Sequence, residues 1–443
     1  MQNLQFASLA FWISNNWPHN PFASCGQSVG KHKKTNMKHL TLFLTIYCIT
    51  INCKSQDTIV DYLNSVKQDF RVQERIISDS IINNYDIVLI GESHGFKDNY
   101  EVAYKLIREY KELTDFTYLL DETDLATAHL LNSYLLAEDT TGFREYVEKD
   151  KGFASWNKEN YEFYKKIIEL NINRENKIQY LGIDIPKGGI DYTAQRIVSI
   201  MEKYGEIDSV MNSLVDVKMP TKQVISYLNQ MLEDSSQKNY TSTDLFEYKY
   251  HLNNILQYNF VAQAKSDIEW DSRRDSCLYE NFIKLEKKFS LENEKMIGVW
   301  GYEHTLQSTS LGVNYLASRL CNNANKKIYT FRIFYFDSKS MIPASWFPWY
   351  LRIFKPKKKL YYYSNIQNDD FWAAGYKPEA TTLRDASPNH SITLYNLIAE
   401  SSPFKHKPYL VSKNDLVSTS FFFQSAIVVR NSLPVEPFGE NRK

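Results

Sequence analysis

The feature that most constrains this chain is a set of four short apolar segments, each followed at once by acidic or histidine side chains. The segments are residues 87–90, 116–120, 178–181 and 296–300. Apolar runs of this length predict buried β-strands. The polar side chains that follow them include Glu92, His94, Glu122, Asp184 and His304. Because ligand sites of open α/β sheets lie at the carboxyl ends of the strands, we expect these five side chains to meet.

The remaining pattern predicts an α/β fold over residues 57–430, with a central, mostly parallel or mixed sheet flanked by helices. Helical spacing covers residues 98–113, 126–136, 142–147 and 161–170, and residues 190–289 are helical and polar without a strand-like run. We interpret 190–289 as an inserted helical cap over the strand ends. Beyond it, we expect a helix at 311–320, strands at 327–336 and 421–429, and loops with one or two edge strands at 338–418.

The first 55 residues carry lysines and no acidic residue. From Met37, a short positive region, an apolar region (40–51) and a small-residue site are typical of a signal peptide, which we place at residues 37–55. Residues 1–36 are then an N-terminal extension that is not part of the natural protein. We expect an exported protein, periplasmic or extracellular, with lipidation of Cys53 as an alternative.

Charge and cysteine content exclude several classes of protein. The formal net charge is zero and the main basic run outside the N-terminus is residues 355–359, so nucleic-acid binding is not expected. Cys277 and Cys321 are too few for a disulfide framework and are expected to be buried thiols or one disulfide. The aromatic segment 346–350 before that basic run is typical of a partly buried loop or of contact with a membrane surface. No partner protein is indicated.

Glu92 and His94 form the sharpest local motif. Residues two apart at a strand end point to the same side of the chain, so the carboxylate can orient the imidazole. The alternative is a turn in which Ser93 and His94 only cap the next helix. Glu122 could likewise enter the pocket or cap the following helix, and Asp184 could enter the pocket or cap a turn. His304 could also be only a structural cap. Arg274 lies on a helix and could bind a substrate anion or form an interhelical salt bridge.

Several of these segments resemble motifs of the erythromycin esterase-like family, which is itself similar to the ChaN/TraB-like group. They are residues 91–95, Glu122, Trp156 with the helix 161–171 and the strand end 182–184, residues 274–281, and residues 300–304. The first motif is one residue shorter here, Leu278 replaces a methionine, and Tyr302 or Glu303 stands near the first of the family's two late histidines.

The resemblance implies a hydrolase that opens an ester or lactone of a small molecule without an obligatory cofactor. His94 would be the general base, Glu92 and Glu122 would orient it, and His304 would polarise the carbonyl or protonate the leaving oxygen. Substrate binding would fall to Arg274, Asp184 and Trp156.

Two other functions remain open from the sequence. Glu92, His94, Glu122 and His304 are an acceptable ligand set for Zn²⁺ or Mn²⁺, which would make the protein a metal-dependent hydrolase or peptidase. A non-catalytic surface protein that binds haem, iron or a hydrophobic ligand is consistent with export, with the abundant tyrosine and tryptophan and with the loops at 338–380.

Overall fold

A mixed sheet of eight strands forms the centre of the protein, in the order β1-β9-β10-β6-β2-β5-β3-β4. The computed structural model describes residues 58–439, apart from 188, 216, 218–219, 348–358, 371–378 and 413–414. The strands are β1 (Gln68–Asp69), β2 (Ile87–Glu92), β3 (Tyr118–Asp121), β4 (Gln179–Gly182), β5 (Met296–Gly301), β6 (Ile328–Phe336), β9 (Ile392–Asn396) and β10 (Ser425–Arg430). A separate antiparallel pair joins β7 (Ser340–Pro343) to β8 (Tyr361–Ser364).

Six neighbouring strands, from β10 to β4, run parallel, whereas β9 pairs antiparallel with β10 and with β1. The prediction of an α/β fold with a mostly parallel or mixed sheet is therefore confirmed. The helices that surround the sheet are residues 58–66, Asp79–Asn84, Asp98–Thr114, Leu125–Leu136, Thr140–Lys149, Lys158–Asn171, Asp191–Lys203, Ser209–Leu214, Lys222–Asp234, Ser242–Ala262, Asp267–Phe289, Leu316–Asn323 and Glu379–Ala386.

Alternation along β2 divides the core into two layers. Val88 and Ile90 pack with the helices Asp98–Thr114 and Lys158–Asn171, whereas Ile87 and Leu89 pack on the other face. That second face is covered by Leu278, Phe282 and Leu285 of the helix Asp267–Phe289. Because side chains of a strand point alternately to the two faces, a fully apolar strand requires helices on both sides, and the sheet has them.

The inserted segment 190–289 is helical throughout its described part, and it divides into two units. Its first four helices share an apolar core of their own, which includes Ile197, Leu228 and Leu252. Its last helix, Asp267–Phe289, differs from the cap interpretation because it packs directly on the sheet. This helix is therefore part of the α/β body.

Three details after His304 differ from the sequence-based expectations. The helix begins at Leu316 rather than residue 311, because Leu311 (φ 50°) and Gly312 (φ 82°) have left-handed backbone angles that a helix does not accept. The last strand begins at Ser425, after a short 3₁₀ turn at Thr419–Phe421. Within 338–418, β9 lies between β1 and β10, so it is not an edge strand.

The predictions for residues 1–36, for the signal peptide at 37–55 and for Cys53 lie outside the described residues, as does most of the aromatic and basic segment 346–359. Within the described ranges, no helix combines the length and the apolarity needed to span a membrane. Cys277 and Cys321 are both free thiols.

Candidate functional site

The carboxyl ends of β2 and β5 bring the two histidines to one place. Glu92, the last residue of β2, is paired with Gly301, the last residue of β5. A Cβ atom placed on Gly301 would lie 3.6 Å from His304 Cδ2, 3.7 Å from Glu122 Oε2 and 3.9 Å from His94 Nε2. Both imidazoles and the Glu122 carboxylate therefore face the same small volume beside Gly301, which we call the Gly301 niche.

Glu92 holds His94 at one ring nitrogen, with Nδ1 2.5 Å from Glu92 Oε1. The turn that carries them does not cap the next helix, because that helix begins after Lys97 without a side-chain cap. The Glu92 carboxylate is the main cause that raises the pKa of His94 to about 9, and burial opposes it. The His94 side chain remains 42% exposed. The pair thus has an accessible imidazole whose other nitrogen points into the Gly301 niche.

Arg274 connects two carboxylates from different strand ends. Its Nη2 donates to Asp184 Oδ2 at 2.5 Å and to Glu122 Oε1 at 2.8 Å, and its Nε donates to Asp184 Oδ1 at 3.1 Å. Asp184 is completely buried, and burial alone would raise its pKa, but Arg274 and Lys187 together lower it. Arg274 is therefore a buried salt-bridge residue, and both partners were candidate site residues.

His304 is engaged at both ring nitrogens. Nδ1 lies 2.9 Å from Asp275 Oδ1, and Nε2 lies 2.9 Å from Arg274 Nη1. A guanidinium only donates hydrogen bonds, so Nε2 accepts in this arrangement and the ring proton is on Nδ1. Burial lowers the pKa of His304 and Asp275 raises it, with a raised pKa as the result. The raised pKa favours the protonated ring, whereas the contact of Nε2 with Arg274 opposes it, so the role of His304 as a proton donor stays a prediction.

Glu122 lies between the cations and the Gly301 niche. The helix-capping alternative for this residue does not apply, because Asp124 caps the helix Leu125–Leu136 by accepting from Ala126 N and Thr127 N. Glu122 Oε2 accepts from Gly301 N at 2.9 Å, and Oε1 accepts from Lys187 Nζ at 2.7 Å. Burial would raise the pKa of Glu122, but Lys187, Arg274 and both histidines hold it well below its ordinary value. Glu122 is thus an ionised carboxylate.

Trp156, the other predicted substrate-binding residue, is buried in the core on the opposite layer from the helix Asp267–Phe289. Its ring stacks on Tyr361 at 5.6 Å between centroids, and Lys151 lies over its face. None of its described contacts is with the residues around the Gly301 niche. An aromatic ring that does approach the niche belongs to Trp346, whose centroid is 6.2 Å from that of His94.

Within the part of the chain that the structure describes, no group of three or more His, Cys, Asp or Glu side chains is arranged to hold a metal ion. The four residues that the sequence offered as metal ligands, Glu92, His94, Glu122 and His304, are instead engaged by other side chains. Both Nδ1 atoms face carboxylates, Nε2 of His304 faces a guanidinium, and Glu122 is bound to two cations.

Sequence reasoning missed three residues that complete the site. Lys187 Nζ lies 2.7 Å from Glu122 Oε1 and 2.8 Å from Asp184 Oδ2. Asp275 holds His304, and Asn99 donates to Glu92 Oε2. Asp275 directly follows Arg274 on a helix and Lys187 comes three residues after Asp184, so neighbours of predicted residues were a usable signal. No such signal existed for Asn99.

No protein-family model and no curated protein sequence matches the chain. Several solved structures, in contrast, match the fold of the chain. A succinoglycan biosynthesis protein matches with a TM-score of 0.62 and 13% identity, over 86% of this chain and 98% of that one. A Bacillus cereus protein matches with a TM-score of 0.56 and 14% identity, over 86% and 99%.

The erythromycin esterase EreC is also among the similar structures. A histidine-to-asparagine mutant of it, in its open conformation, has a TM-score of 0.53 and 15% identity, over 79% of this chain and 92% of that chain. At this level of identity the likeness concerns the fold and not the activity. The predicted resemblance is confirmed at that level: the chain has the fold of erythromycin esterase.

Proposed function

We propose that the protein is a hydrolase that cleaves an ester or lactone bond of a small molecule, with His94 as the general base. One observation carries this proposal: Nδ1 of His94 is held by Glu92, while Nε2 points into the niche that Glu122 and His304 also face. A carboxylate on Nδ1 fixes the tautomer and the orientation of the ring, so that Nε2 can accept a proton. This is the arrangement that general-base activation of water requires.

The reaction can be written with residues of this chain alone. Nε2 of His94 takes a proton from a water molecule, and the water oxygen forms a bond to the carbonyl carbon. The tetrahedral oxyanion then collapses, the bond to the alkoxy oxygen breaks, and the imidazolium of His94 gives its proton to the leaving oxygen. Water and ester become acid and alcohol, and the imidazole is neutral again.

Charges on the other side of the niche assist this step in two ways. Glu122 Oε2, 3.7 Å from the Gly301 Cβ position, can accept the second hydrogen of the attacking water. Arg274 and Lys187 hold the Glu122 carboxylate with two positive charges, so that its negative charge opposes a developing oxyanion less. In this scheme His304 supports Arg274 and does not transfer a proton.

Hydrolysis of 4-nitrophenyl acetate tests the proposal. We expect the wild type to release nitrophenol and His94→Ala to lose about 10²- to 10⁴-fold in kcat/KM, the usual contribution of a positioned base. His406→Ala is the matched control, because His406 is exposed and lies in the turn after the short 3₁₀ helix Pro403–Lys405. Hydrolysis rates that are equal in all three proteins would refute the proposal.

We also propose that the protein is exported, on the basis of the pattern in residues 37–55. N-terminal sequencing of the protein from the periplasm or the medium tests this. A mature N-terminus close to residue 55 is the expected result, and a chain that begins at Met1 or retains residues 40–51 contradicts it.

A further inference from the structure

The second carboxylate oxygen of Glu92 has a defined hydrogen-bond partner that takes no part in the proposed reaction. Oε1 of Glu92 faces His94, and Oε2 accepts a hydrogen bond from Nδ2 of Asn99. Asn99 is itself buried, and it lies in the first turn of the helix Asp98–Thr114. Both oxygens of this carboxylate are therefore fixed, one by the base and one by the amide.

The orientation of the Asn99 amide follows from its partners. Nδ2 also donates to the carbonyl oxygen of Ser93 at 2.8 Å, so the two acceptors around it identify it as the NH₂ group. Oδ1 accepts from the hydroxyl of Tyr335. Burial raises the pKa of Tyr335 well above its ordinary value, so this hydroxyl keeps its proton and remains a donor. The donors thus run in one direction, from Tyr335 to Asn99 to Glu92.

Tyr335 is held rigidly by strand β6. Its ring stacks on Phe96 with centroids 3.9 Å apart and planes 5° from parallel, and its backbone N–H donates to Asp369 Oδ2 at 2.8 Å. Asn99 comes from a helix and Glu92 from β2, so three separate elements determine where the carboxylate lies. A carboxylate attached through three rotatable bonds would otherwise lose orientation relative to the imidazole.

We propose that Asn99 is a positioning residue, which keeps the Glu92 carboxylate directed at Nδ1 of His94, with Tyr335 fixing the amide. This inference rests on the proposed function in that His94 is the base. Asn99 does not reach the Gly301 niche; it acts through Glu92. Since the network is neutral apart from Glu92, the full carboxylate charge remains available to the imidazole.

Three variants separate positioning from a merely structural role. Asn99→Ala frees the carboxylate to rotate away, so the pKa of His94 should fall by about one unit from its value of about 9. Asn99→Asp preserves the shape but replaces the donating NH₂ by an acceptor oxygen, which either displaces the Glu92 carboxylate or shares a proton with it, so the pKa of His94 should also fall. Tyr335→Phe retains the stacking on Phe96 and should change the pKa in the direction of Asn99→Ala by a smaller amount. Asn171→Ala is the control, because Asn171 is a buried asparagine that bonds only to the backbone of Ile178.

Titration of His94 by NMR gives the first readout and needs no substrate. A lower His94 pKa in both Asn99→Ala and Asn99→Asp, with no shift in Asn171→Ala, is expected; an unchanged His94 pKa in both Asn99 variants overturns the inference. Kinetics at pH 10, where the His94 ring is mostly neutral in the wild type and in Asn99→Ala, give the second readout: Asn99→Ala should lower kcat about ten-fold or more and change KM little. Absence of hydrolysis in the wild type would reject the proposed function alone, since the titration result stands apart from it.

Discussion

The two histidines at the carboxyl edge of the sheet have the same kind of partner on Nδ1 but differ in exposure and in the surroundings of Nε2. Each has a carboxylate on Nδ1, Glu92 for His94 and Asp275 for His304. The side chain of His94 is 42% exposed, whereas that of His304 is 9% exposed. Nε2 of His94 points into the Gly301 niche, and Nε2 of His304 accepts from Arg274.

This difference is the basis for proposing His94 as the general base and His304 as a residue that supports Arg274. A carboxylate on Nδ1 makes an imidazole a better base only if Nε2 can reach a substrate proton, and in this structure Arg274 contacts Nε2 of His304. It instead completes a buried network with Arg274, Asp184 and Glu122. We therefore expect substitutions around His94 to change the rate and substitutions around His304 to change the stability as well.

The largest change in stability is expected for Arg274→Met. The substitution leaves the fully buried Asp184 and the nearby Glu122 without their guanidinium, and breaking a buried ion pair costs about 3–5 kcal/mol. Urea denaturation at pH 7 measures this loss. Arg144→Met is the control, because Arg144 forms an exposed pair with Glu148 that is worth about 0–1 kcal/mol. Equal losses in the two variants would contradict the network described here.

The same network predicts how the difference in stability between the wild type and Arg274→Met depends on pH. The folded-state pKa values of Asp184 and Glu122 are depressed, so their stabilisation is present above the unfolded values near 4 and is lost as the pH falls through the folded values. The stability advantage of the wild type over Arg274→Met should therefore shrink in acid. An advantage that grows below pH 4 would have the wrong sign.

A smaller effect is expected from removing each histidine. The raised pKa of His94 means that its ion pair with Glu92 stabilises the fold at low pH and that this contribution is lost as the pH rises through about 9. At pH 10, His94→Ala should therefore cost little. His304→Ala should still cost about 1–3 kcal/mol, because Asp275, in a site with no exposure, loses the His304 ring and keeps the hydrogen bond from the backbone N–H of Leu316. Urea denaturation of both variants at pH 10 decides between this ranking and its reverse.

Next in size is a shift of the pKa of His94 itself. With Glu92 present the imidazole titrates at about 9, and Glu92→Gln removes the main cause, so the value should fall towards the ordinary 6.5. NMR titration of the His94 ring measures this directly. Since the neutral ring is the base, kcat/KM should rise with pH through about 9 in the wild type, and the rise should move to lower pH in Glu92→Gln. A rate that is independent of pH between 6 and 10 would remove His94 as the base.

The strand ends and the first pair of site residues could be predicted from the sequence because the signals are local. The apolar run of β2 determines where Glu92 lies, and the spacing of two places His94 beside it. The order of the strands in the sheet was not needed for this prediction, because the carboxyl ends of all parallel strands lie at the same edge. This reasoning is enough to bring Glu92, His94, Glu122 and His304 to one place.

The partners of those residues could not be predicted, since they depend on how distant elements pack. Arg274 reaches Asp184 only because the helix Asp267–Phe289 lies on the sheet rather than in the cap. The engagement of both nitrogens of His304 is a consequence of the same packing. Tyr335 comes from β6, more than two hundred residues after Asn99, and no local pattern connects them. The hydrogen-bond partners of His304 were therefore beyond sequence reasoning, whereas its place was not.

The smallest effect on stability is expected at Gly301, where the two histidines meet. Its φ of −49° and ψ of 132° suit any residue, and an added Cβ would have only ordinary contacts of 3.6–3.9 Å. Gly301→Ala should therefore leave the free energy of unfolding within about 0.5 kcal/mol of wild type, as for substitutions without a clash. It should nevertheless lower kcat/KM, because the methyl group occupies the niche between His94, Glu122 and His304.

Gly91→Ala is the counterpart of this substitution on the neighbouring strand. There a Cβ would lie 2.5 Å from Thr305 Oγ1 and 3.1 Å from Tyr302 Cα, so overpacking should cost about 1–3 kcal/mol. Urea denaturation and ester hydrolysis of both variants separate the two sites. Loss of activity without loss of stability in Gly301→Ala would locate the attacking water in the niche. Full activity in that variant would show that the reacting atoms lie elsewhere along the edge of the sheet, and the division of roles between His94 and His304 would then lose its basis.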